Sequence, residues 1–186
     1  KAGKLFGKSG ISFPLMYRQA ESLLQTIENE HLREIPVIIV TGERGQGKTT
    51  WTQNVIGYLK KMNLRISGFL STGVHNNEER TGFNILDLKT SEETELCTIH
   101  PDADRFRYGK YYFNPEGLAK GNEILRPENV EGNDLVVIDE IGPVELNDKG
   151  WAYSVSRLIQ YGQIPQLWVV RRSLIENVTK KWIKGE

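Results

Sequence analysis

Residues 41–50 read TGERGQGKTT, and the glycines at 42 and 47 followed by Lys48 and Thr49 make the pattern G-x-x-x-x-G-K-T. A triphosphate packs several negative charges into a small volume. Backbone N–H groups of a glycine-rich turn can converge on it, because glycine tolerates the required backbone angles and leaves no side chain in the way. Gly42, Glu43, Arg44, Gly45 and Gln46 are expected to form the turn. Gly47, Lys48, Thr49 and Thr50 then lead into a helix whose positive dipole end faces the phosphates. Lys48 would reach the β- and γ-phosphates, and the Thr49 hydroxyl is placed to ligate Mg²⁺.

The stretch DLVVIDEIGPVEL, residues 134–146, supplies the other half of such a site. Its apolar run ends in Asp139, an acid that can hold Mg²⁺ directly or through water. Glu140 follows at once and can polarise a water for in-line attack on the γ-phosphorus. Gly142 and Pro143 mark a sharp turn, and Glu145 after it either braces the site or lies on the surface. Charge neutralisation in the transition state usually also needs an arginine. The candidates are Arg44, Arg80 and the pair Arg171 and Arg172, which follow the apolar run QLWVV.

These residues need a scaffold of alternating strands and helices. Pro36–Thr41 is a continuous β-branched run suited to a strand buried on both faces of a parallel sheet. A helix over 48–61 and a strand over 64–71 follow it. Residues 79–89 and 93–100 read as an antiparallel, peripheral strand pair, and a short strand is expected near 110–113. A helix over 115–124, a buried strand over 134–139 and a helix near 151–161 come next. A strand over 164–170 and a helix over 173–182 close the pattern. Before it, residues 1–13 are basic and glycine-containing, as in an arm. Met16, Ala20, Leu23, Leu24 and Ile27 then recur at helical spacing, predicting an amphipathic helix over 15–30. That helix either packs on the main domain or docks a protein partner. The expected organisation is an arm and helix over 1–34 and one α/β domain over 35–186.

Bulk composition narrows the partners. The chain has 186 residues, 38% hydrophobic, with 24 basic and 24 acidic side chains, enough for one domain with a sizeable core. Zero net charge argues against nucleic acid and anionic membranes as partners. Cys97 stands alone, so no disulfide framework or cysteine-based metal site is expected, and a reducing cytoplasm fits best. No run approaches the roughly 20 apolar residues of a membrane span, and no signal-peptide pattern opens the chain. The chain starts with Lys1 rather than Met, which fits a trimmed chain or part of a longer one.

Taken together, GERGQGKTT, GFLSTGVHNNEERTGFNILDL and VVIDEIGPVEL resemble the THEP1-type P-loop nucleoside-triphosphatases, over about Val37–Val170. The resemblance implies a RecA-like P-loop fold: a three-layer α/β sandwich with a mainly parallel sheet, here with an N-terminal helical extension. It also implies slow, Mg²⁺-dependent hydrolysis of ATP, GTP and other nucleoside triphosphates. The family's loop Lys and Thr fall on Lys48 and Thr49, its acid pair on Asp139 and Glu140, and its R-x-G-F element on Arg80, Gly82 and Phe83. Lys48, Arg80 and Glu140 are therefore the expected catalytic residues, and Thr49 and Asp139 the expected metal ligands. Where the family usually reads T-E-E-V-R, this chain has Ser71, Thr72, Gly73, Val74 and His75, so a histidine replaces the arginine.

Four rival readings share the cradle. A nucleotide or small-molecule kinase needs an acceptor pocket and usually an arginine-rich lid, which the sequence does not display. A nucleotide-dependent adaptor would present its N-terminal helix and turn over negligibly. A guanine-specific switch would carry N-K-x-D, which NDKG at 147–150 does not match. A nucleic-acid-stimulated motor is disfavoured by the neutral charge. Trp51, Tyr108, Phe113 and Trp168 are the candidate base-stacking side chains, with core packing as the competing role of each.

Overall fold

A computed structural model describes residues 13–28, 37–77 and 79–184. Of the arm expected over residues 1–13, residues 1–12 lie outside them and Phe13 opens α1. In chain order the elements are α1 (Phe13–Ile27), β1 (Val37–Gly42), α2 (Lys48–Lys61), β2 (Ile66–Asn76), β3 (Glu79–Asp87) and β4 (Glu93–Thr98). After these come β5 (Phe106–Tyr108), β6 (Tyr111–Phe113), α3 (Pro115–Ile124), α4 (Pro127–Val130), β7 (Leu135–Ile141) and α5 (Pro143–Leu146). The remainder is α6 (Ala152–Tyr161), β8 (Gln166–Arg171), a 3-10 turn (Arg172–Leu174) and α7 (Ile175–Trp182). The helix over 48–61 has the expected bounds. The second strand runs on to Asn76 because its far half pairs with β3. Two short helices, α4 and α5, and the three-residue β5 were not expected, since so few residues show no period.

The described strands form one sheet in the order β1-β8-β7-β2-β3-β4-β6-β5. Four strands, β1, β8, β7 and β2, pair in parallel. The other half, from β3 to β5, is antiparallel, as expected for the peripheral pair. β2 belongs to both halves in series: Ile66–Phe69 pairs with β7, and Phe69–Asn76 with β3.

Alternation along β7 explains the layers. Val136 and Ile138 pack with Val155 of α6 and Val178 of α7 on one face. Leu135 and Val137 pack with Val55 and Leu59 of α2 on the other. Successive strand residues point to opposite faces, so a strand apolar at every position is buried on both. The apolar face of α1 is taken up in the same way, with Ala20 and Leu23 buried against the α2 side. Gln19 Oε1 also accepts a 2.9 Å hydrogen bond from Trp51 Nε1.

Gly68 sets the spacing of β2 against β7. Its φ is +96°, and a Cβ there would lie 2.0 Å from the Val137 carbonyl oxygen, so only glycine fits. At the opposite end, Arg65 clasps Asp134 through Nε and Nη2, at 3.2 and 2.8 Å, aligning the starts of the two strands.

Candidate active site

The turn before α2 is closed on itself. Gln46 Oε1 accepts from the Glu43 N–H at 2.8 Å, and Lys48 Nζ donates to the Glu43 carbonyl at 2.9 Å. Gly45 and Gly47 hold φ of +77° and +75°, a left-handed geometry that glycine adopts without strain. No side chain caps the start of α2, so its first N–H groups are open to an anion.

Asp139 continues the side of β7 that faces α2, and it meets the helix start there. The Thr49 hydroxyl hydrogen-bonds its carboxylate. The Ser71 N–H reaches Oδ2 at 3.3 Å, and the Ser71 hydroxyl bonds the Asp139 carbonyl. Asp139 is 1% exposed, and burial pushes its carboxyl up to about 7. The Thr49 and Ser71 hydrogen bonds and the Lys48 charge oppose that rise, whereas the Glu140 charge adds to it. A buried carboxylate beside a threonine hydroxyl offers hard oxygen donors, which suit Mg²⁺.

Glu140 owes its position to a bulge. Asp139 pairs with Val169 of β8, but Val170 pairs with Ile141, so Glu140 is the extra residue in the ladder. A bulge re-aims the side chain of its inserted residue. Glu140 Oε1 accepts from Arg171 Nε at 2.6 Å, and its carbonyl accepts from Trp151 Nε1 at 3.2 Å. Because β8 lies between β1 and β7, the end of β8 delivers Arg171 between the cradle and the acid pair. Arg172 turns instead to Glu43, 3.9 Å away on the surface.

Glu145 is a bracing residue, not a surface one. It is 3% exposed and its Oε2 accepts from the Gly142 N–H at 2.9 Å, closing the first turn of α5. Burial pushes its carboxyl up to about 7, against backbone hydrogen bonds from Gly142, Glu145 and Trp151. The glutamate three residues after Gly142 in G-P-V-E matches the second half of a capping box, the side chain that returns to the N-cap N–H, and is the signal that could have placed it.

A cavity of about 370 Å³ joins these parts. Lys48, Thr49, Asp139 and Glu140 line it, together with Arg44, Gly45, Gly47, Thr50 and Arg171. Gly42, Glu43 and Gln46 do not line it and instead shape the turn; a Cβ on Gly42 would stand 3.0 Å from Gln46 Oε1. Arg80 of β3 also lines the cavity, with its guanidinium 5.1 Å from the centre of the Phe83 ring. Of the stacking candidates, Tyr108 and Phe113 line it, whereas Trp168 is fully buried in the core. His75 lies on β2 opposite Arg80, its Nδ1 3.1 Å from the Gly73 carbonyl. No described helix is long and apolar enough to cross a membrane.

Comparison with known proteins gives the family and the fold. The family described as NTPase matches residues 37–185. The nucleoside-triphosphatase THEP1 of Sulfolobus acidocaldarius is 33% identical over 139 residues, covering 74% of this chain and 77% of that protein. Two solved structures share the fold. The THEP1 crystal structure from Aquifex aeolicus has a TM-score of 0.61 at 24% identity, over 80% of this chain and 84% of that one. The solution structure of a human cancer-related nucleoside triphosphatase has a TM-score of 0.63 at 22% identity, over 78% and 84%.

Proposed function

The chain belongs to the THEP1-type nucleoside-triphosphatase family, and from that membership we propose an Mg²⁺-dependent hydrolase acting on ATP, GTP and other nucleoside triphosphates. The observation that carries the proposal is the bulge that sets Glu140 beside Asp139, across from Lys48 and the start of α2.

The open N–H groups of α2 and the Lys48 ammonium bind the phosphates. These are common to every nucleoside triphosphate, so the cradle favours broad base specificity. Thr49 and Asp139 would hold Mg²⁺, which supplies charge neutralisation on the phosphate oxygens when bound. Glu140 accepts a proton from a water as the water oxygen bonds the γ-phosphorus. The bond from the γ-phosphorus to the β–γ bridging oxygen breaks, and diphosphate and phosphate leave. Arg44, Arg80 and Arg171 are the cavity's candidates for countering the developing charge. In this structure the Glu140 carboxylate is paired with Arg171, which aims the base into the cavity. A reducing cytoplasm is the proposed setting, since the buried Cys97 thiol is free.

The test is Glu140→Gln. Mg²⁺-nucleotide binding should persist while phosphate release falls by at least about 10²-fold. Full turnover in that variant removes Glu140 from the role.

A further inference from the structure

The cavity is lined by more than the residues that would face the phosphates. Beyond Glu140 it runs under the antiparallel half of the sheet, where Phe83, Leu96, Cys97, Tyr111, Phe113 and Trp151 line it. Phe83 and Tyr111 meet edge to face with centroids 5.4 Å apart. Leu96, Cys97 and Trp151 are buried, and burial pushes the Cys97 thiol up to about 12, so it stays neutral. Yet two polar atoms in this apolar wall are themselves buried and lack a hydrogen-bond partner among the described residues: Arg80 Nε and the Tyr111 hydroxyl. Buried polar atoms are normally satisfied, so this pair points to a ligand atom that accepts a hydrogen bond.

Sheet order bears on which end of a bound nucleotide would face this compartment. The cradle follows β1, at one edge of the sheet, and the acid pair ends β7, two places in. The aromatic wall belongs to β3, β4 and β6, farther along in the same direction. If the acids mark the γ-phosphoryl end, the compartment lies on the side from which an acceptor would approach, and the nucleoside would lie on the other.

We propose that the aromatic compartment binds a second substrate, a planar aromatic alcohol of one or two rings, and that the site transfers the γ-phosphoryl group to it. This rests on the reading of Lys48, Asp139 and Glu140 as a γ-phosphoryl site. The rings of Phe83, Tyr111 and Phe113 hold the planar body, and Arg80 Nε and the Tyr111 hydroxyl engage its polar atoms. The alcohol oxygen then takes the place of water. It bonds the γ-phosphorus, its proton passes to Glu140, and the bond to the β–γ bridging oxygen breaks. The products are a nucleoside diphosphate and a phosphate monoester.

The experiment uses the full chain with Mg²⁺ and ATP labelled in the γ-phosphate. Benzyl alcohol, 3-pyridinemethanol and 2-naphthalenemethanol are the probes. Phosphate release without any alcohol reports the hydrolase reading separately. With alcohol present, label is expected in a phosphate ester of at least one probe. The ratio of transfer to hydrolysis should fall about tenfold in Tyr111→Phe, which keeps the ring and removes one polar atom. Probe binding should also change tryptophan fluorescence saturably, and the change should vanish in Trp151→Phe. Label passing only to water, with no saturable fluorescence change for any probe, overturns the inference and leaves hydrolysis standing. Saturable binding without transfer overturns the acceptor role as well. Transfer without release to water keeps the inference and overturns the hydrolase reading. Neither release nor transfer from bound ATP overturns both.

Discussion

Arg171 and Glu140 form an ion pair at 2.6 Å that bridges the ends of β8 and β7. Both side chains are partly exposed, at 39% and 29%, so the pair adds little to stability and matters for what it positions. Arg171→Ala is expected to lower kcat on the order of 10²-fold, with a smaller change in KM, because a transition-state contact and the aim of the base are lost together. Steady-state kinetics on ATP check this. A rise in kcat would mean that the pair only restrains Glu140.

Mg²⁺ should bind weakly to the protein alone and well with nucleotide. Asp139 and Thr49 are the proposed protein donors, and no group of three or more His, Cys, Asp or Glu that could hold a metal gathers among the described residues. With its carboxyl near 7, Asp139 must release a proton to ligate a metal. Mg²⁺-nucleotide affinity should therefore fall as pH drops from about 8 to 6, approaching about tenfold per unit below the midpoint. Calorimetry in two buffers of different ionisation enthalpy at about pH 6.5 would register the proton. Identical heats would show Asp139 already ionised.

Glu145 should make the fold less stable as pH rises. Its folded value of about 7 lies above the ordinary 4.5, so between the two the folded state holds the extra proton. Stability from this group is full below about 4.5 and is lost as pH rises through about 7, by on the order of 1–3 kcal/mol. Chemical denaturation of the wild type and Glu145→Gln at pH 5 and 8 should show the steeper decline in the wild type. Parallel declines would contradict it.

Gly68→Ala should be among the most damaging methyl additions in the chain. The new Cβ would meet the Val137 carbonyl at 2.0 Å in a backbone with φ of +96°. A loss of about 3 kcal/mol or more is expected. Thermal unfolding of the variant decides it.

Leu23→Ala tests whether α1 is integral to the core. Leu23 is 8% exposed and packs in the cluster that includes Val55 and Leu59, so truncation should cost roughly 2–3 kcal/mol. An unchanged denaturation midpoint would make α1 an appendage.

Features that rest on local spacing were legible in the sequence. The bounds of α2, the cradle and the acid at the end of an apolar run all follow from neighbouring residues, and Lys48, Thr49, Asp139 and Glu140 indeed line one cavity. Features that rest on register were not. The Glu140 bulge exists only relative to β8, and its contact with Arg171 spans 31 positions. The sequence offered Arg171 and Arg172 as equals, and one residue of strand alternation sends them to different partners. Ser71, which holds Asp139, follows the point where β2 changes neighbours, and nothing in its own segment marks that.

That change of neighbours along β2 has an evolutionary consequence. In the sheet order, β2 alone joins the strands that end at the phosphate machinery to those that build the aromatic wall. Mutations on β3–β6 can therefore accumulate and remodel what the aromatic wall accepts without disturbing Lys48, Thr49 or Asp139. Descendants of one ancestral phosphate engine could diverge in substrate by drift on that flank alone, and a flank grafted from a relative at the β2 junction should carry its preference with it.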